Sequence, residues 1–290
     1  MIGAIEAGGT KFVCAIGSSQ LEIMHRESFK TTTPLETMSK VIDFFKAYQE
    51  ELEGIGVGSF GPIDIHHESP TYGFITSTPK ISWQNFDFIG TLKKHFQIPI
   101  AWTTDVNAAC FGEYVKGHGE GFDNLVYYTI GTGIGGGAIQ EGRFISGYSH
   151  PEMGHMLVNK HPEDNYEGAC PFHGNCLEGM AAGPAIEKRL GKSGQSLKGN
   201  DPFWEIEAEY LAQCVYNTTL ILSPDCIILG GGVMKQPLLL ELVQSKFKSL
   251  MSGYIKYPQI DQYIRTPKLG DNAGIIGCLA LAREEILHIH

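Results

Sequence analysis

Ile2–Ile16 reads IGAIEAGGTKFVCAI and Leu125–Ile139 reads LVYYTIGTGIGGGAI. Each is an apolar, β-favouring run, then a turn of glycine and threonine, then a second apolar run. The turns are Gly8-Gly9-Thr10-Lys11 and Gly131-Thr132-Gly133. The same order twice in one chain predicts two related halves that face each other with a nucleotide between them. Paired glycines let a backbone come close to a ligand, and successive amides can cradle phosphate oxygens. Taken singly, each turn also fits a plain hairpin. The later run matches G-x-G-x-x-G, but that fingerprint needs a helix directly after it. Here Gly137–Phe144 (GAIQEGRF) reads as a strand, so it is set aside. Gly191-Lys192-Ser193 has the tail of a P-loop, yet Ile186 stands where the leading glycine belongs.

Outward from these runs, residues 20–29 continue as a third strand. A helix is expected from Leu35 to Leu52, with Leu35, Met38, Val41, Ile42 and Phe45 on its apolar face. A Gly-rich strand covers 54–60, residues 64–84 read as loop, a short helix spans Phe86–Phe96, and a strand runs from Ile98 to Thr103. That strand delivers Thr104, Asp105, Val106 and Asn107 ahead of a helix over Ala108–Lys116. In open α/β sheets ligands gather beyond the carboxyl ends of strands, where an Asp can accept a proton from a bound hydroxyl. Asp105 or Asn107 can equally cap the helix; Asn107 as the cap leaves Asp105 available. Further on, Leu177–Leu190 reads as a helix interrupted at Gly183-Pro184, and a long helix runs from Pro202 to Leu222. The buried strand Cys226–Leu229 ends in Gly230-Gly231-Gly232-Val233-Met234-Lys235, before a helix from Pro237 to Met251. Those glycines suit a flat ring or a phosphate lying on backbone, or a tightly packed strand-to-helix turn. The last segment, Asp271–Leu287, is an Ala/Gly-rich helix packed closely on something. His288 and His290 are too few for a tag and are expected to dangle.

His150–Glu178 holds His155 and a tight knot, Cys170-x2-His173-x2-Cys176. Two sulfurs and two imidazoles make a closed tetrahedral set for zinc with no place for water, which argues for a structural metal. The alternative is two buried thiols and two surface histidines. Glu152, Glu167 and Glu178 lie near these ligands in sequence. With one ring nitrogen of His155 on a metal, the other can hold a second group.

The totals bound the rest. At 290 residues the chain has room for two cores. With 42% hydrophobic and 19% charged residues it is an ordinary globular sequence. A net charge of -10 argues against nucleic-acid and anionic-membrane partners. The opening MIGAIEAGGT lacks the basic region of a signal peptide, and no run is long enough to cross a bilayer. Cys14, Cys110, Cys214, Cys226 and Cys278 sit in apolar surroundings, as core thiols of a reducing compartment do, so the cytoplasm is expected.

With Glu6-Ala7-Gly8-Gly9-Thr10-Lys11, Asp105, Gly131-Thr132-Gly133, Glu152-x-Gly154-His155 spacing, the knot ending in Glu178, and Gly230-Gly231-Gly232 in this order, the chain resembles the ROK family. Within it the sequence looks most like the bacterial fructokinases, which share an opening like EAGGTKF. The resemblance implies an α/β, two-domain, actin-like or ribonuclease-H-like ATPase fold with a ligand cleft between the domains. The expected domains are 1–115, joined by the helix at 271–290, and 116–270 with the metal loop.

It implies ATP-dependent phosphorylation of a hexose, with D-fructose to fructose 6-phosphate the first expectation and mannose or glucose behind it. Asp105 would be the general base. Gly9, Thr10, Thr104, Glu152, His155 and Glu178 would meet the sugar. Gly8, Gly9, Thr10, Lys11, Thr132 and Gly133 would face the phosphates. Pro184, Gly231, Gly232, Val233, Met234 and Lys235 would border the adenosine. Mg2+ would accompany ATP, touched by Glu6 or Asp105 directly or through water, and a structural Zn2+ would sit on His155, Cys170, His173 and Cys176. A homodimer is implied as well.

Two departures stand out. The family's knot has three cysteines, so His173 here replaces a thiolate. Thr104 stands where many relatives carry Asn. A sugar-responsive repressor of the family would need a DNA-binding module, whereas the first strand begins at Ile2 and the chain is acidic. A zinc hydrolase would need an open metal site. A non-catalytic sugar or nucleotide sensor would not need Asp105.

Overall fold

The computed structural model describes residues 1–289, so His290 lies outside the described residues. Two compact units emerge. The first takes Met1–Glu120, Ser146–His150 and Asp271–His290, and the second takes Gly121–Ile145 and Pro151–Gly270.

In the first unit, β1 (Ile2–Ala7), β2 (Lys11–Gly17) and β3 (Ile23–Lys30) precede α1 (Pro34–Lys46) and β4 (Gly54–Ser59). The two-residue strands β5 (Phe74–Ile75) and β6 (Phe86–Asp87) lead to α2 (Phe88–Lys93), β7 (Ile100–Thr104) and α3 (Asp105–Lys116). In the second unit, β8 (Leu125–Ile130), β9 (Ile134–Gln140) and β10 (Arg143–Phe144) precede α4 (Leu177–Ala181), α5 (Gly183–Leu190) and α6 (Phe203–Leu222). Then come β11 (Cys226–Gly230), α7 (Leu239–Met251), α8 (Ile260–Tyr263) and β12 (Ile264–Arg265). The chain closes on α9 (Ala273–Ile289), whose last turn holds His288.

The two main sheets have one plan. The first runs β3-β2-β1-β4-β7 and the second β10-β9-β8-β11-β12. In each, the strand after the Gly/Thr turn is antiparallel to the strand before it, and the next two strands run parallel to that first one. This is the internal duplication read from the two turns, and each half carries a ribonuclease-H-like sheet.

Register explains why chemistry collects at one edge. Ala7 is level with Ser59, and Ser59 with Thr104, so the Gly8 turn and Asp105 leave the sheet at the same end. In the second unit Thr129 is level with Gly230, so Gly131 and Gly231 do likewise.

Helix ends follow local chemistry. Thr33 caps α1 by accepting from the Glu36 amide, and Pro34 fits its first turn, where no amide donor is needed. The helix stops at Lys46, short of the expected Leu52. Met38, Val41, Ile42 and Phe45 are buried as the periodicity requires, but Leu35 is 84% exposed because the first turn overhangs the core. The Ala/Gly-rich α9 packs on α3 and β4 with backbone in contact. A Cβ at Gly277 would lie 1.7 Å from the Ala108 carbonyl oxygen, and one at Gly56 1.8 Å from that of Cys278. The seven cysteines are free and buried.

Because backbone cannot move aside as a side chain can, Gly277→Ala is expected to lower unfolding free energy by on the order of 3 kcal/mol. This should outweigh the ~1 kcal/mol that alanine gains in helix propensity. Gly199, with nothing near its Cβ position, should accept alanine within about 0.5 kcal/mol. Urea denaturation of the two variants checks this, and equal midpoints would contradict it.

Candidate active site

The first unit gathers Gly8, Gly9, Thr10, Lys11, Thr104 and Asp105. The Gly8 amide donates to the Lys11 carbonyl at 3.0 Å, closing the turn between β1 and β2. Thr31 fixes it from β3: its hydroxyl donates to the Gly8 carbonyl at 2.8 Å and its amide to that of Thr10 at 2.9 Å. The Gly9 and Thr10 amides donate to no acceptor among the described residues, so the turn offers N–H groups to an anion.

At the end of β7 the cap differs from the expected one. Thr104, not Asn107, caps α3, with its hydroxyl accepting from the Asn107 amide at 3.1 Å. The Asn107 side chain instead donates to the Thr103 hydroxyl at 3.1 Å and is buried. α3 therefore begins at Asp105, three residues before the predicted Ala108. Asp105 is half-buried, and its Oδ1 accepts from the Val106 amide at 2.8 Å, which orients the carboxylate. Glu6, at the end of β1, feels that charge. Burial, then Asp105 and to a lesser degree Asp271, push its carboxyl up to about 7, against the pull of Arg26 and Lys11. A buried carboxyl beside a second carboxylate is suited to share a cation or a proton with it.

Sequence reasoning passed over two residues here. His150 is buried and its Nε2 accepts from the Ile63 amide at 3.3 Å. Lys80, on a loop, lies against the Gly9 turn. Neither belongs to a spacing pattern, so only tertiary contact reveals them.

The second unit gathers the other candidates around β8 and β9. Gly131 donates to the Gly133 carbonyl at 2.9 Å, and Gly183, opening α5 beside Pro184, donates to the Gly131 carbonyl at 2.8 Å. A Cβ at Gly131 would sit 4.0 Å from the Gly232 nitrogen. Thus Gly131-Thr132-Gly133, Gly183-Pro184 and Gly231-Gly232 meet, although 100 residues separate the first from the last. Val233–Lys235 form one 3-10 turn, and Met234 turns its side chain into the core, which leaves only its backbone to a ligand. Lys235 is exposed.

The metal-type residues converge on the same strand. Gly154 lies on β9 so closely that a Cβ would be 1.7 Å from the Ile134 carbonyl oxygen, which seats the turn carrying Glu152 and His155 on the sheet. Glu152 is exposed there. His155 Nδ1 is 3.5 Å from Cys176 Sγ and 3.8 Å from Cys170 Sγ, and His173 Nδ1 is 3.6 Å from Cys170 Sγ. The four ligand atoms lie within 4.8 Å of one another. Bonds of about 2.0–2.3 Å in a tetrahedron give ligand separations of about 3.3–3.8 Å, so this set fits one metal ion with little adjustment.

The knot is a hairpin in which Cys170 and Gly174 exchange amide bonds of 3.2 and 3.0 Å. Burial pushes the Cys176 thiol up to about 11, against the Gly179 amide that donates to it, and the neighbouring Cys170 adds to the rise. A bound cation reverses that balance by favouring thiolate.

His155 turns its other nitrogen, Nε2, to Glu178, 4.0 Å from Oε1. Glu178 Oε2 accepts from the Ile134 amide at 2.9 Å, and a Cβ at Gly133 would strike it at 2.6 Å. The carboxylate is thereby fixed between the knot and the Gly/Thr turn. His173, where a third cysteine was expected, brings a metal-type donor to the other three residues.

The sequence pattern of the ROK family matches residues 2–285. The chain is 52% identical over 272 residues to a fructokinase of Lactococcus lactis subsp. cremoris, covering 93% of this chain and 92% of that one. It is 48% identical over 283 residues to a fructokinase of Pediococcus pentosaceus, covering 98% of each. Among solved structures, a ROK hexokinase from Thermus thermophilus superposes with a TM-score of 0.80 at 22% identity, covering 99% of both chains. A ROK family glucokinase from Streptomyces griseus, solved with glucose and AMPPNP, gives 0.75 at 23% identity, covering 97% of this chain and 98% of that one. The two-domain, actin-like sugar-kinase fold is thus this chain's fold.

One consequence of the Glu6 environment concerns stability. Its folded pKa is raised, so the folded state binds a proton more tightly than the unfolded chain does. That contribution is complete below the unfolded carboxylate value and is lost as pH rises through about 7. Without divalent cation, urea midpoints of the wild type should fall between pH 5 and pH 8 more steeply than those of Glu6→Gln. Parallel curves would contradict it.

Proposed function

The chain belongs to the ROK family, and from that premise we propose that it is an ATP-dependent fructokinase, converting D-fructose and ATP to fructose 6-phosphate and ADP. The observation that carries fructose over other hexoses is identity of 41–52% to named fructokinases across nearly the whole chain.

In this reading the Asp105 carboxylate takes the proton of the attacking sugar hydroxyl. Its placement at the carboxyl end of β7, with Oδ1 tied to the Val106 amide, supports the role. Glu152, His155 and Glu178 hold sugar hydroxyls: His155 Nε2–H donates, and the Glu178 carboxylate, already oriented by Ile134, accepts. Gly9, Thr10 and Thr104 complete the sugar and phosphate contacts, Thr104 by its O–H, since its lone pair caps α3. The amides of Gly8–Lys11 and Thr132-Gly133 face phosphate oxygens. Pro184 and the backbone of Gly231–Lys235 border the adenosine.

Magnesium would be held by Glu6 or Asp105, directly or through water, and supplies charge neutralisation at the phosphates. Zinc would be held by Nδ1 of His155 and His173 and Sγ of Cys170 and Cys176, bracing the loop with no open position. We place the enzyme in the cytoplasm, as its free buried thiols suit, and as a homodimer, as the resemblance implies.

Coupled ADP release across fructose, mannose and glucose should be greatest with fructose and require magnesium. Asp105→Asn should keep fold and sugar binding while losing about 10²–10⁴-fold in kcat. Turnover near that of the wild type in this variant would remove Asp105 from its role, and a preference for another hexose would correct the substrate.

A further inference from the structure

Lys80 occupies an unusual position for a loop lysine. Its Cε lies 3.1 Å from where a Gly9 side chain would begin, so the lysine stem crosses directly over the Gly8–Lys11 turn. The residue is half-buried, and its ammonium makes no ion pair or hydrogen bond among the described residues. A cation beside open backbone amides and with no protein counter-charge is available to pair with a bound anion.

The backbone beneath it is held firmly. The Lys80 amide donates to the Thr78 hydroxyl at 3.3 Å, the Lys80 carbonyl accepts from the Trp83 amide at 2.8 Å, and Gln84 Nε2 donates to the Thr78 carbonyl at 2.9 Å. Trp83 is wholly buried. Its indole N–H donates to the Thr32 carbonyl at 2.8 Å, and its ring packs on Phe12 of β2 with centroids 5.3 Å apart. Phe12 follows the Gly8–Lys11 turn immediately, so one aromatic contact sets both the turn and the lysine. A Cβ at position 9 would stand 3.1 Å from the lysine Cε, so the stem would have to give by a few tenths of an ångström to admit one.

We propose that Lys80 is a catalytic residue whose ammonium contacts the phosphoryl group in transit, together with the Gly9 and Thr10 amides. The proposal rests on the kinase reading above. During transfer the bond between the sugar oxygen and phosphorus forms, the bond from that phosphorus to the ADP oxygen breaks, and the hydroxyl proton passes to Asp105. Lys80 stays protonated throughout and offsets negative charge on the non-bridging oxygens, which is greatest as the group leaves ADP. Such a contact strengthens in the transition state, so its loss appears in kcat and not in sugar affinity.

Lys80→Met keeps the length and apolar stem and removes the charge. With hexose affinity measured by calorimetry without nucleotide, it is expected to bind as the wild type does within about twofold. Its kcat should fall about 10²–10³-fold, the loss typical of one removed anion-stabilising donor. Lys80→Arg should retain more of the rate than Lys80→Met, and ethylammonium should restore part of the rate to Lys80→Ala. Near-ultraviolet circular dichroism of the buried Trp83 verifies that each variant folds. If Lys80→Met turns over within threefold of the wild type, or if weaker sugar binding explains its whole loss, the proposal is overturned. The wild type run alongside separates the causes: turnover there with a normal Lys80→Met defeats this inference alone, whereas no hexose turnover in the wild type defeats the kinase reading and this inference together.

Discussion

Glu178 reaches back 44 residues to accept the Ile134 amide, and the organisation of the second unit depends on that bond. One carboxylate oxygen is tied to the first residue of β9, and the other faces His155. The knot, the turn carrying Glu152 and the Gly131–Gly133 turn are thereby referred to a single strand. A sheet is the stiffest base the fold offers, and side chains anchored to it hold their geometry better than side chains on loops. Two glycines beside β9 follow from this constraint. Gly154 and Gly133 are small because backbone and carboxylate already fill the space where a side chain would go.

The first unit solves a similar problem with helices and aromatics. β1, β4 and β7 end level, so acidic side chains and an open turn emerge at one edge. α9 and α3 pack with backbone in contact behind that edge. The cost falls on Glu6, whose carboxyl is pushed to about 7 by burial first and by the charge of Asp105 second. Natural structures tolerate such tension where ligands relieve it, and cations do so here in the proposed reaction.

Much of this was legible in the sequence because it is written in local patterns. Strand, Gly/Thr turn, strand is a short-range signal, and its repetition predicted two sheets of one plan. The Cys170-x2-His173-x2-Cys176 spacing, read together with His155, likewise singled out four side chains whose donor atoms the fold brings within 4.8 Å of one another. The failures share a cause, which is competition among equally good local choices. Thr104, Asp105 and Asn107 all make good caps, and only the path of β7 selects Thr104. Leu35 has the right period for burial but falls in a turn with no core beneath it. Met234 sits in a glycine-rich run that suggested ligand contact, yet its side chain completes the core. Lys80 and His150 had no local signal, since each acquires its role from a segment far away in the chain.

The central claim is that a metal-braced loop fixes the groups that hold the sugar. It is tested most directly by titrating fructose calorimetrically into zinc-loaded, zinc-stripped and zinc-reloaded protein without nucleotide, with metal content measured for each. The account predicts that stripping weakens fructose binding by at least about tenfold and that zinc restores it, because His155 loses the partner that orients its ring. Folded, zinc-free protein that binds fructose as tightly as the loaded form would contradict it.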